Sequence, residues 1–495
     1  MKKLFEKIKI WLWDIRFKLF GHDPLVEIIS FHAGMNRRVS PLLNKLEEAR
    51  IARNADLSEI GTLKKAKGYA IFGNQPTGND VLSLYPFYKI GATTSRNFLR
   101  DSGGNVYKYN FGTSTWDAIT GATGLSSSVI PVWVTYKNLA MRFNGIDTPK
   151  KYDETNFVNL GGSPPNGSIP ALYKDKIYIS GVSPNYSTVY FCDTGSPETW
   201  PSFNNFDVNN NDGDRVMALV PAFDSLIIFK EFSLWEFQVD AKNNPSVLRY
   251  ITLDIGTTSR RSIVNIGGIY YFFNRRGIYQ FASRYPELIS LKVQDFIDAV
   301  TDPYNVVAFK DGNTYNLFIG NVTVGGKNYN NCVLRYDTLQ DTWTIRTLAH
   351  SIKAISDFIG SDSLLKIYFG SSLGKTFQWG EGYKYDTTPI EMEYETSIIQ
   401  LGDPNAEKML RRLIVRSSNL AKSPATIHCV IDGEDPIELG QINETIWKND
   451  VLDKEMGKDI ILKIHEVSDK EMREIYWLGL YYDEGVSGGE VSKPR

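Results

Sequence analysis

The sequence contains few cysteines and few histidines. Its three cysteines, Cys192, Cys332 and Cys429, are an odd number without close spacing in a chain of 495 residues. This spacing gives neither a disulfide framework nor a zinc site, and it favours small core residues in a reducing compartment. The five histidines never fall at metal-ligand spacing. We therefore expect no metal and no cofactor.

Long apolar runs and an excess of one charge are also missing. No stretch reaches the roughly eighteen uncharged apolar residues that a membrane span requires, and the start lacks the cleavage site of a secretory signal. The formal net charge of −2 excludes a chain that is basic throughout, although local patches remain open. No phosphate loop, acid pair or other catalytic constellation stands out, so we expect no enzyme.

A repeat dominates what the sequence does contain. Its pattern is an apolar residue, an aromatic residue, any residue, an aromatic residue or Cys, and often Asp or Asn. The steps between copies are 40 to 55 residues, close to the period of about 40 to 50 that one propeller blade requires. The seven copies are residues 106–110, 149–153, 189–193, 234–238, 278–282, 333–337 and 376–380.

Each copy follows another alternating segment, which predicts antiparallel hairpins. The turn signal is clearest at Asp311-Gly312, where a primed turn needs a positive φ. After four of the copies an aromatic residue recurs, and we interpret it as the fourth, outer strand packing between neighbouring sheets. These aromatic residues are Trp116, Phe157, Trp200 and Trp343. The prediction is an all-β, seven-bladed β-propeller, with six or eight blades or a sandwich of unrelated strands as alternatives.

The flanking regions complete the predicted domain organisation. Residues 27–388 form the propeller, in which 27–77 are a lead-in with a short polar helix at 43–54, and residues 68–73 supply the outer strand that closes the ring. An insertion at 281–303 carries a short helical pattern at 293–300. Residues 389–484 alternate as in a small antiparallel β-sandwich, and the polar, Gly-rich residues 485–495 are typical of a flexible tail.

The first residues predict an amphipathic basic helix at 2–20, with a hinge extending to residue 26. Its apolar stripe carries large anchors that suit a groove on a partner protein. A membrane surface or the chain's own domain are the alternatives. The residues that we expect to dock are Phe5, Ile8, Trp11, Leu12, Trp13, Ile15 and Leu19.

Two further signals concern ions. Arginine pairs at 37–38, 260–261, 275–276 and 411–412 suit contact with a polyanion, with solvated loops as the alternative. From these we select Arg37, Arg38, Arg275 and Arg276. Residues 207–214 resemble a calcium loop, but Asp212 stands where Gly is required and Ala218 where a bidentate Glu is required, which favours a plain turn.

A set of short segments is scattered over most of residues 30–483. These segments are residues 33–36, 40–41, 54–58, 61–69, 143–145, 151–153, 161–164, 190–200, 212–214, 259–268, 395–396, 401–404 and 411–413. Together they resemble the β-propeller tail hub, or nozzle, proteins of short-tailed bacteriophages, a family also described as packaged-DNA stabilization proteins. Residues 2–20 have no counterpart in the family pattern.

The resemblance implies a structural virion protein, made in the host cytoplasm. It would be a subunit of a homo-oligomeric ring at the head-to-tail junction or in the tail. It would touch other head or tail proteins and line or close a channel that retains the packaged double-stranded DNA and passes it on ejection. The rival interpretations are a carbohydrate-binding or carbohydrate-hydrolysing propeller of a cell surface or tail tip, and a membrane-tethered scaffold.

Overall fold

The sequence repeats lie on the third strands of four-stranded antiparallel sheets. This arrangement is seen in a computed structural model, which describes residues 25–484 apart from 92–94, 211, 283, 361, 401–407, 419–421 and 451–455. The described part of the chain is all-β, with 53% of its residues in strands and 3% in helices. The predicted docking helix at 2–20 and the tail at 485–495 lie outside the described residues.

Five of these sheets stand alone in the hydrogen-bonding pattern. Sheet 1 comprises Val81–Lys89, Ser95–Ser102, Asn105–Asn110 and Thr115–Ala118, and sheet 2 comprises Val132–Tyr136, Leu139–Phe143, Lys150–Tyr152 and Phe157–Asn159. Sheet 3 comprises Ile169–Tyr173, Lys176–Ser180, Thr188–Phe191 and Asn205–Asp207, and sheet 4 comprises Val216–Ala222, Ser225–Lys230, Leu234–Val239 and Pro245–Thr252. Sheet 5 comprises Val264–Ile266, Ile269–Asn274, Gly277–Phe281 and Glu287–Leu288.

Two further groups of four strands belong to a larger 15-stranded network. Sheet 6 comprises Val307–Asp311, Thr314–Val324, Lys327–Asp337 and Thr342–Thr347. Sheet 7 comprises Ala354–Ile359, Leu365–Gly370 and Thr376–Trp379, and its fourth strand is Tyr69–Ile71 from the start of the chain. The sequence predicted this pairing. In sheet 6 the hairpin residues are Gly312 and Asn313, and Gly312 alone has a positive φ, +60°.

Apolar clusters fill the spaces between consecutive sheets. Phe87 and Leu99 of sheet 1 share a cluster with Trp133 of sheet 2, and equivalent clusters join the later sheets. One more cluster joins Phe358 and Tyr368 of sheet 7 to Phe98 and Trp116 of sheet 1. Burial of this apolar surface, at about 25 cal/mol per Å², holds the sheets side by side.

Three of the four predicted outer-strand aromatics are placed as expected. Trp116, Phe157 and Trp343 lie buried in fourth strands. Trp200 packs against the apolar cluster between sheets 2 and 3, as predicted, but its predicted place in the fourth strand was wrong, because that strand is Asn205–Asp207. Trp200 precedes Pro201, which has no N–H for a strand ladder, and its indole Nε1 donates instead to the Pro197 carbonyl at 2.9 Å.

Two antiparallel sheets that share one core follow sheet 7. Sheet 8 comprises Leu25–Ile29, Ile475–Glu484, Lys408–Ser417, Ile446–Asn449 and Met456–Gly457. Sheet 9 comprises Thr388–Thr396, Ile399–Gln400, Thr426–Ile431, Ile437–Gln441 and Asp459–Ser468. The lead-in thus joins the C-terminal part, because Leu25–Ile29 pairs with the last strand.

The lead-in also connects sheets 6 and 9. Residues 43–54, predicted as a short helix, instead contain the strand Ala49–Arg53, which pairs with Thr388–Thr396 on one side and meets Thr342–Thr347 on the other. The β-branched and alternating partner strands on both sides override the local helix pattern. Two short ladders, Ala55–Asp56 with Lys64–Lys65 and Lys384–Tyr385 with Thr388–Thr396, complete this region.

The insertion after sheet 5 does contain a helical segment, as the sequence predicted. It consists of a 3₁₀ turn at Ser290–Val293 followed by the α-helix Gln294–Asp298. Two other 3₁₀ turns are Arg260–Ser262 and Ser372–Gly374. Among the described residues, no helix is long and apolar enough to cross a membrane.

Candidate anion-binding site

A cavity of about 390 Å³ lies where all seven sheets meet. Its wall is mostly apolar, because the strands that begin each sheet turn aliphatic side chains toward it. The lining includes Leu82, Val132, Ile169, Val220, Ile263, Val307 and Ile355, one residue from each of sheets 1 to 7 or the segment that enters it. The charged residues of the lining are Arg260, Arg261 and Lys353.

The 3₁₀ turn Arg260–Ser262 places both arginines at the cavity. Three hydroxyls fix the segment: Thr258 Oγ1 donates to the Pro303 carbonyl at 2.8 Å, and Ser259 Oγ to the Val306 carbonyl at 2.9 Å. Thr257 Oγ1 donates to the Phe273 carbonyl at 2.8 Å. These hydroxyl residues are almost fully buried. The turn is therefore a rigid support that tethers the arginines to sheets 5 and 6.

Both guanidiniums reach across the cavity to backbone carbonyls that precede other sheets. Arg260 Nη1 donates to the Ser168 carbonyl, and Arg260 Nη2 donates to the Ile130 carbonyl at 3.2 Å. Arg261 Nη1 donates to the Lys353 carbonyl at 2.8 Å, and its Nη2 lies 3.2 Å from both the carbonyl and the side-chain oxygen of Asn305. The two side chains thus connect the entries of sheets 2, 3, 6 and 7.

Neither guanidinium has a carboxylate partner within 4 Å in the described part of the chain. Burial, together with the neighbouring charge of Arg261, lowers the pKa of Arg260 to about 9. Burial also lowers the pKa of Arg261 to about 10, although the more distant Asp302 opposes the shift. Both shifts have the same main cause: two positive charges are partly removed from water, and no carboxylate of the described residues is in direct contact with them.

The charge of Lys353, the third charged residue of the lining, is balanced. Its ammonium pairs with Asp80 at 3.1 Å. Arg261 also lines two smaller cavities, of about 300 and 320 Å³, and Arg260 lines the second of these. One of these contains Arg215 and Tyr304, whose ring the Arg215 guanidinium overlies at 5.4 Å. Arg261 therefore borders three cavities, and Arg260 borders two of them.

The four arginines selected from the sequence do not line the central cavity and do not form one cluster. Arg37 is 13% exposed, pairs with Asp295 at 2.6 Å and overlies Phe296. Arg38 is exposed, and its backbone N–H donates to Asn36 Oδ1. Arg275 and Arg276 are exposed beside each other, and Arg275 Nη2 donates to the Tyr304 hydroxyl at 2.6 Å. Polyanion contact by these four residues stays a prediction, and the seven docking residues of 2–20 lie outside the described residues.

The candidate calcium loop contains an internal cation. The Lys230 ammonium, which is fully buried, lies 2.7 Å from an Asp212 carboxylate oxygen and donates to the Val208 carbonyl at 2.9 Å. The Lys230 ammonium therefore supplies the positive charge that a bound metal ion would supply in a calcium loop. Across the described ranges, no group of three or more His, Cys, Asp and Glu side chains is arranged to hold a metal ion. All three cysteines are buried.

A second, more polar cavity of about 680 Å³ lies between sheets 6 and 9. Here the charges are balanced: Arg53 lies 2.9 Å from both Glu391 and Glu393, and Lys327 lies 2.6 Å from Glu393. Hydrogen bonding from Arg53, aided by His465, lowers the pKa of Glu391 to about 2. The matched charges distinguish this cavity from the central one and suit a structural junction.

Sequence reasoning noted the pair at 260–261 but did not select it. Both positions precede a strand and look like any basic loop, and only the arrangement of the seven sheets brings them to a common centre. The one available signal was the flanking run Thr257-Thr-Ser259, whose short hydroxyl side chains are suited to fixing a turn through backbone contacts.

Comparisons with known proteins give only distant likenesses. No family model matches the chain, and no curated protein matches it. Among solved structures, PorZ of the Porphyromonas gingivalis type-IX secretion system has a TM-score of 0.41 at 11% identity, covering 75% of this chain and 46% of that one. YCF48 bound to a D1 peptide has a TM-score of 0.38 at 11% identity, covering 64% and 98%. The designed protein Ika8 has a TM-score of 0.39 at 10% identity, covering 64% and 99%. At these values the likenesses carry no argument about function or the number of sheets.

Proposed function

We propose that sheets 1 to 7 are the blades of a closed seven-bladed β-propeller. Three observations support this arrangement. Residues from each sheet line one common cavity. Apolar clusters join each sheet to the next, and another joins sheet 7 to sheet 1. The strand Tyr69–Ile71, which comes before sheet 1 in the chain, is the outer strand of sheet 7. The chain therefore links the last sheet of the series to the first.

On this propeller we propose a structural, non-enzymatic role, as a subunit of a ring at the head-to-tail junction or tail of a short-tailed bacteriophage. Two residues that carry the family resemblance, Asn54 and Gly162, lie where backbone conformation or close packing restricts the residue type. Asn54 has a φ of +53°, accepts from the Tyr385 hydroxyl at 2.8 Å and donates to the Glu391 carbonyl at 2.7 Å. At Gly162, a Cβ atom would lie 2.0 Å from the Glu198 carbonyl oxygen. Two of the matching segments therefore contain positions where the backbone conformation or a close approach restricts the residue type.

The path of the genome would run between subunits. The central cavity of the propeller has the volume of a small-molecule pocket, and the Arg260 and Arg261 side chains span it. A double helix needs a much wider passage. A ring of identical subunits provides one around its own axis, where backbone phosphates are contacted without reading the sequence.

The observation that carries ring assembly is a long strand edge on sheet 4 with which no other strand of the described residues pairs. Its outer strand Pro245–Thr252 has eight residues, whereas the outer strands of sheets 1, 2, 3 and 5 have two to four. The outer strands of sheets 6 and 7 are followed by Ala49–Arg53 and Lys384–Tyr385. A long unpaired edge is a template for another strand, and short edges avoid this.

The same strand presents large apolar side chains to solvent. Tyr250 is 61% exposed, and Leu248 and the following Leu253 are also exposed. Tyr285, from the adjacent sheet, is exposed as well, and its hydroxyl lies 3.3 Å from Asp254. Aromatic anchors beside a free edge are typical of protein interfaces. We assign this edge to the neighbouring copy in the ring.

Mass measurement of the purified full-length chain tests the proposal. Native mass spectrometry and negative-stain microscopy should show closed rings of several copies. Tyr250→Glu should give monomers with an unchanged melting temperature, because the side chain is exposed, whereas Leu364→Glu, at a loop position that is 60% exposed, should leave the ring intact. A wild-type chain that stays monomeric and is retained on a glycan array would instead support the carbohydrate-binding alternative.

A further inference from the structure

We propose that the central cavity binds a small organic anion, a carboxylate on an apolar body, through Arg260 and Arg261. This site is separate from ring assembly and does not depend on it. The proposal starts from the two guanidiniums, which face one cavity without a carboxylate partner among the described residues. Removing a charge from water without pairing it costs free energy. A bound anion at this site would offset that cost by pairing with the two guanidiniums.

Two other buried arginines, Arg142 and Arg100, have different surroundings from Arg260 and Arg261. Arg142, which is 2% exposed, pairs with Asp101 at 2.7 Å and with Asp147 at 3.1 Å. Arg100 is fully buried and has no carboxylate within 4 Å among the described residues, but its guanidinium lies over the rings of Tyr107 and Trp116 and donates to Thr376 Oγ1 at 3.2 Å and to the Gly374 carbonyl at 2.7 Å. The pair at 260–261 differs from both cases, because its unmatched charge faces an open space.

The guanidiniums also keep donors for a ligand. Each guanidinium has five N–H groups in a planar fork that matches a carboxylate. The contacts of Arg260 use two of them, on the Ser168 and Ile130 carbonyls. The hydroxyl-anchored turn holds the fork in place before any ligand arrives, which reduces the entropy lost on binding.

The remaining wall specifies the rest of the ligand. Ile130, Ile169, Val220 and Ile355 supply aliphatic surface, and a volume of about 390 Å³ suits a molecule of small size. Such walls favour an apolar body over a bare inorganic ion, which would lose its hydration without gaining contacts. The geometry thus favours an aromatic or aliphatic carboxylate over free phosphate.

Isothermal titration calorimetry of the full-length chain tests this with three probes: benzoate, its neutral isostere benzamide, and inorganic phosphate. We expect benzoate to bind at least ten times more tightly than benzamide or phosphate, and its affinity to fall as salt concentration rises. Arg260→Gln and Arg261→Gln should each weaken benzoate binding at least tenfold. Arg275→Gln, which removes an exposed arginine of the same region, should leave binding unchanged.

Two controls separate a lost ligand contact from a lost fold. Circular dichroism and thermal denaturation identify any variant that fails to fold. Arg260→Lys keeps the charge without the fork and should retain binding intermediate between wild type and Arg260→Gln. Equal binding of benzoate and benzamide, preference for phosphate, or no binding of any probe to the folded wild-type chain would each overturn the proposal.

Discussion

Tyr69 lies directly opposite Trp379 in an antiparallel strand pair, although the two residues come from opposite ends of the propeller segment. Their rings stack with centroids 6.3 Å apart, and the Tyr69 hydroxyl accepts from the backbone N–H of His350 at 3.1 Å. Tyr69 is 1% exposed and packs on Phe369, Phe377 and Tyr385. One side chain thus joins the early strand to the last sheet.

The first prediction concerns this contact. Tyr69→Ala should lower the free energy of unfolding by about 3 to 5 kcal/mol, because it removes a large buried aromatic ring and leaves a cavity. Ile71→Ala, on the same strand but 52% exposed, should cost less than about 1 kcal/mol. Urea denaturation measures both. Similar losses for the two variants would mean that the strand does not hold sheet 7 through Tyr69.

Two tryptophans that the repeat pattern treats alike should differ in their contribution to stability. Trp343 is fully buried against Tyr336, and its carbonyl accepts from the Met35 N–H at 2.7 Å, whereas Trp200 is partly exposed in a loop. Trp343→Ala should cost about 3 to 5 kcal/mol, and Trp200→Ala clearly less. Thermal denaturation of the matched pair provides the measurement, and a reversed order would contradict the placement of the fourth strands.

A buried ion pair fixes the lead-in to sheet 9. Lys65 Nζ lies 2.5 Å from Glu466, and both side chains are at most 2% exposed. Lys65→Met should cost about 3 to 5 kcal/mol, because it leaves Glu466 buried without a partner. The double variant Lys65→Met with Glu466→Leu should recover much of this loss, as measured in guanidinium chloride. If the double variant were as unstable as Lys65→Met alone, the loss of stability would come from the missing ion pair and not from the unpaired Glu466 charge.

The junction between sheets 6 and 9 should weaken in acid. Hydrogen bonds from Arg53 and His465 hold the pKa of Glu391 at about 2, below its usual 4.5. A carboxylate with a depressed pKa stabilises the folded state above about pH 4.5, and this contribution is lost as the pH falls toward 2. Glu391→Gln should therefore be less stable than wild type at pH 7, with the difference shrinking below pH 4.5 in urea titrations. A constant difference would show that the charge of Glu391 has no such role.

Much of the fold was accessible from the sequence because the repeat is local. An aromatic strand beside an alternating strand fixes a hairpin, and all seven repeat positions are strands. The pairing of Tyr69–Ile71 with Thr376–Trp379 could be inferred since a last sheet without an outer strand needs one. By contrast, the strand Ala49–Arg53 looked helical, because its extended form depends on partners far away in the chain.

The candidate site was harder to predict for the same reason. Arg260 and Arg261 are held at the cavity by hydrogen bonds to backbone carbonyls that precede four other sheets. These carbonyls include those of Ile130, Ser168 and Asn305. No spacing rule relates these positions. Conversely, Arg37 looked available to a polyanion, but its partner Asp295 lies in the insertion after sheet 5, which the sequence does not place beside it.

The last prediction concerns residues 1–24, which lie outside the described residues. Their sequence pattern combines a basic face with a stripe that includes Phe5, Trp11, Trp13 and Leu19. Large aromatic anchors dominate protein interfaces, and Glu6 and Asp14 interrupt the basic face that an anionic membrane prefers. We therefore expect this segment to dock on a neighbouring subunit or virion protein. Removing residues 1–24 should leave the melting temperature of the propeller unchanged but stop its incorporation into assemblies.

Limited proteolysis and a liposome flotation assay complete that test. In isolated subunits the segment should be cleaved near residues 21–24, and assembly should protect it. A variant with Trp11→Glu and Trp13→Glu should behave like the truncation, while Lys7→Gln, which changes only the basic face, should still assemble. Normal assembly of the truncated chain, or flotation of the full-length chain with anionic liposomes in the absence of any protein partner, would show that the stripe serves another surface.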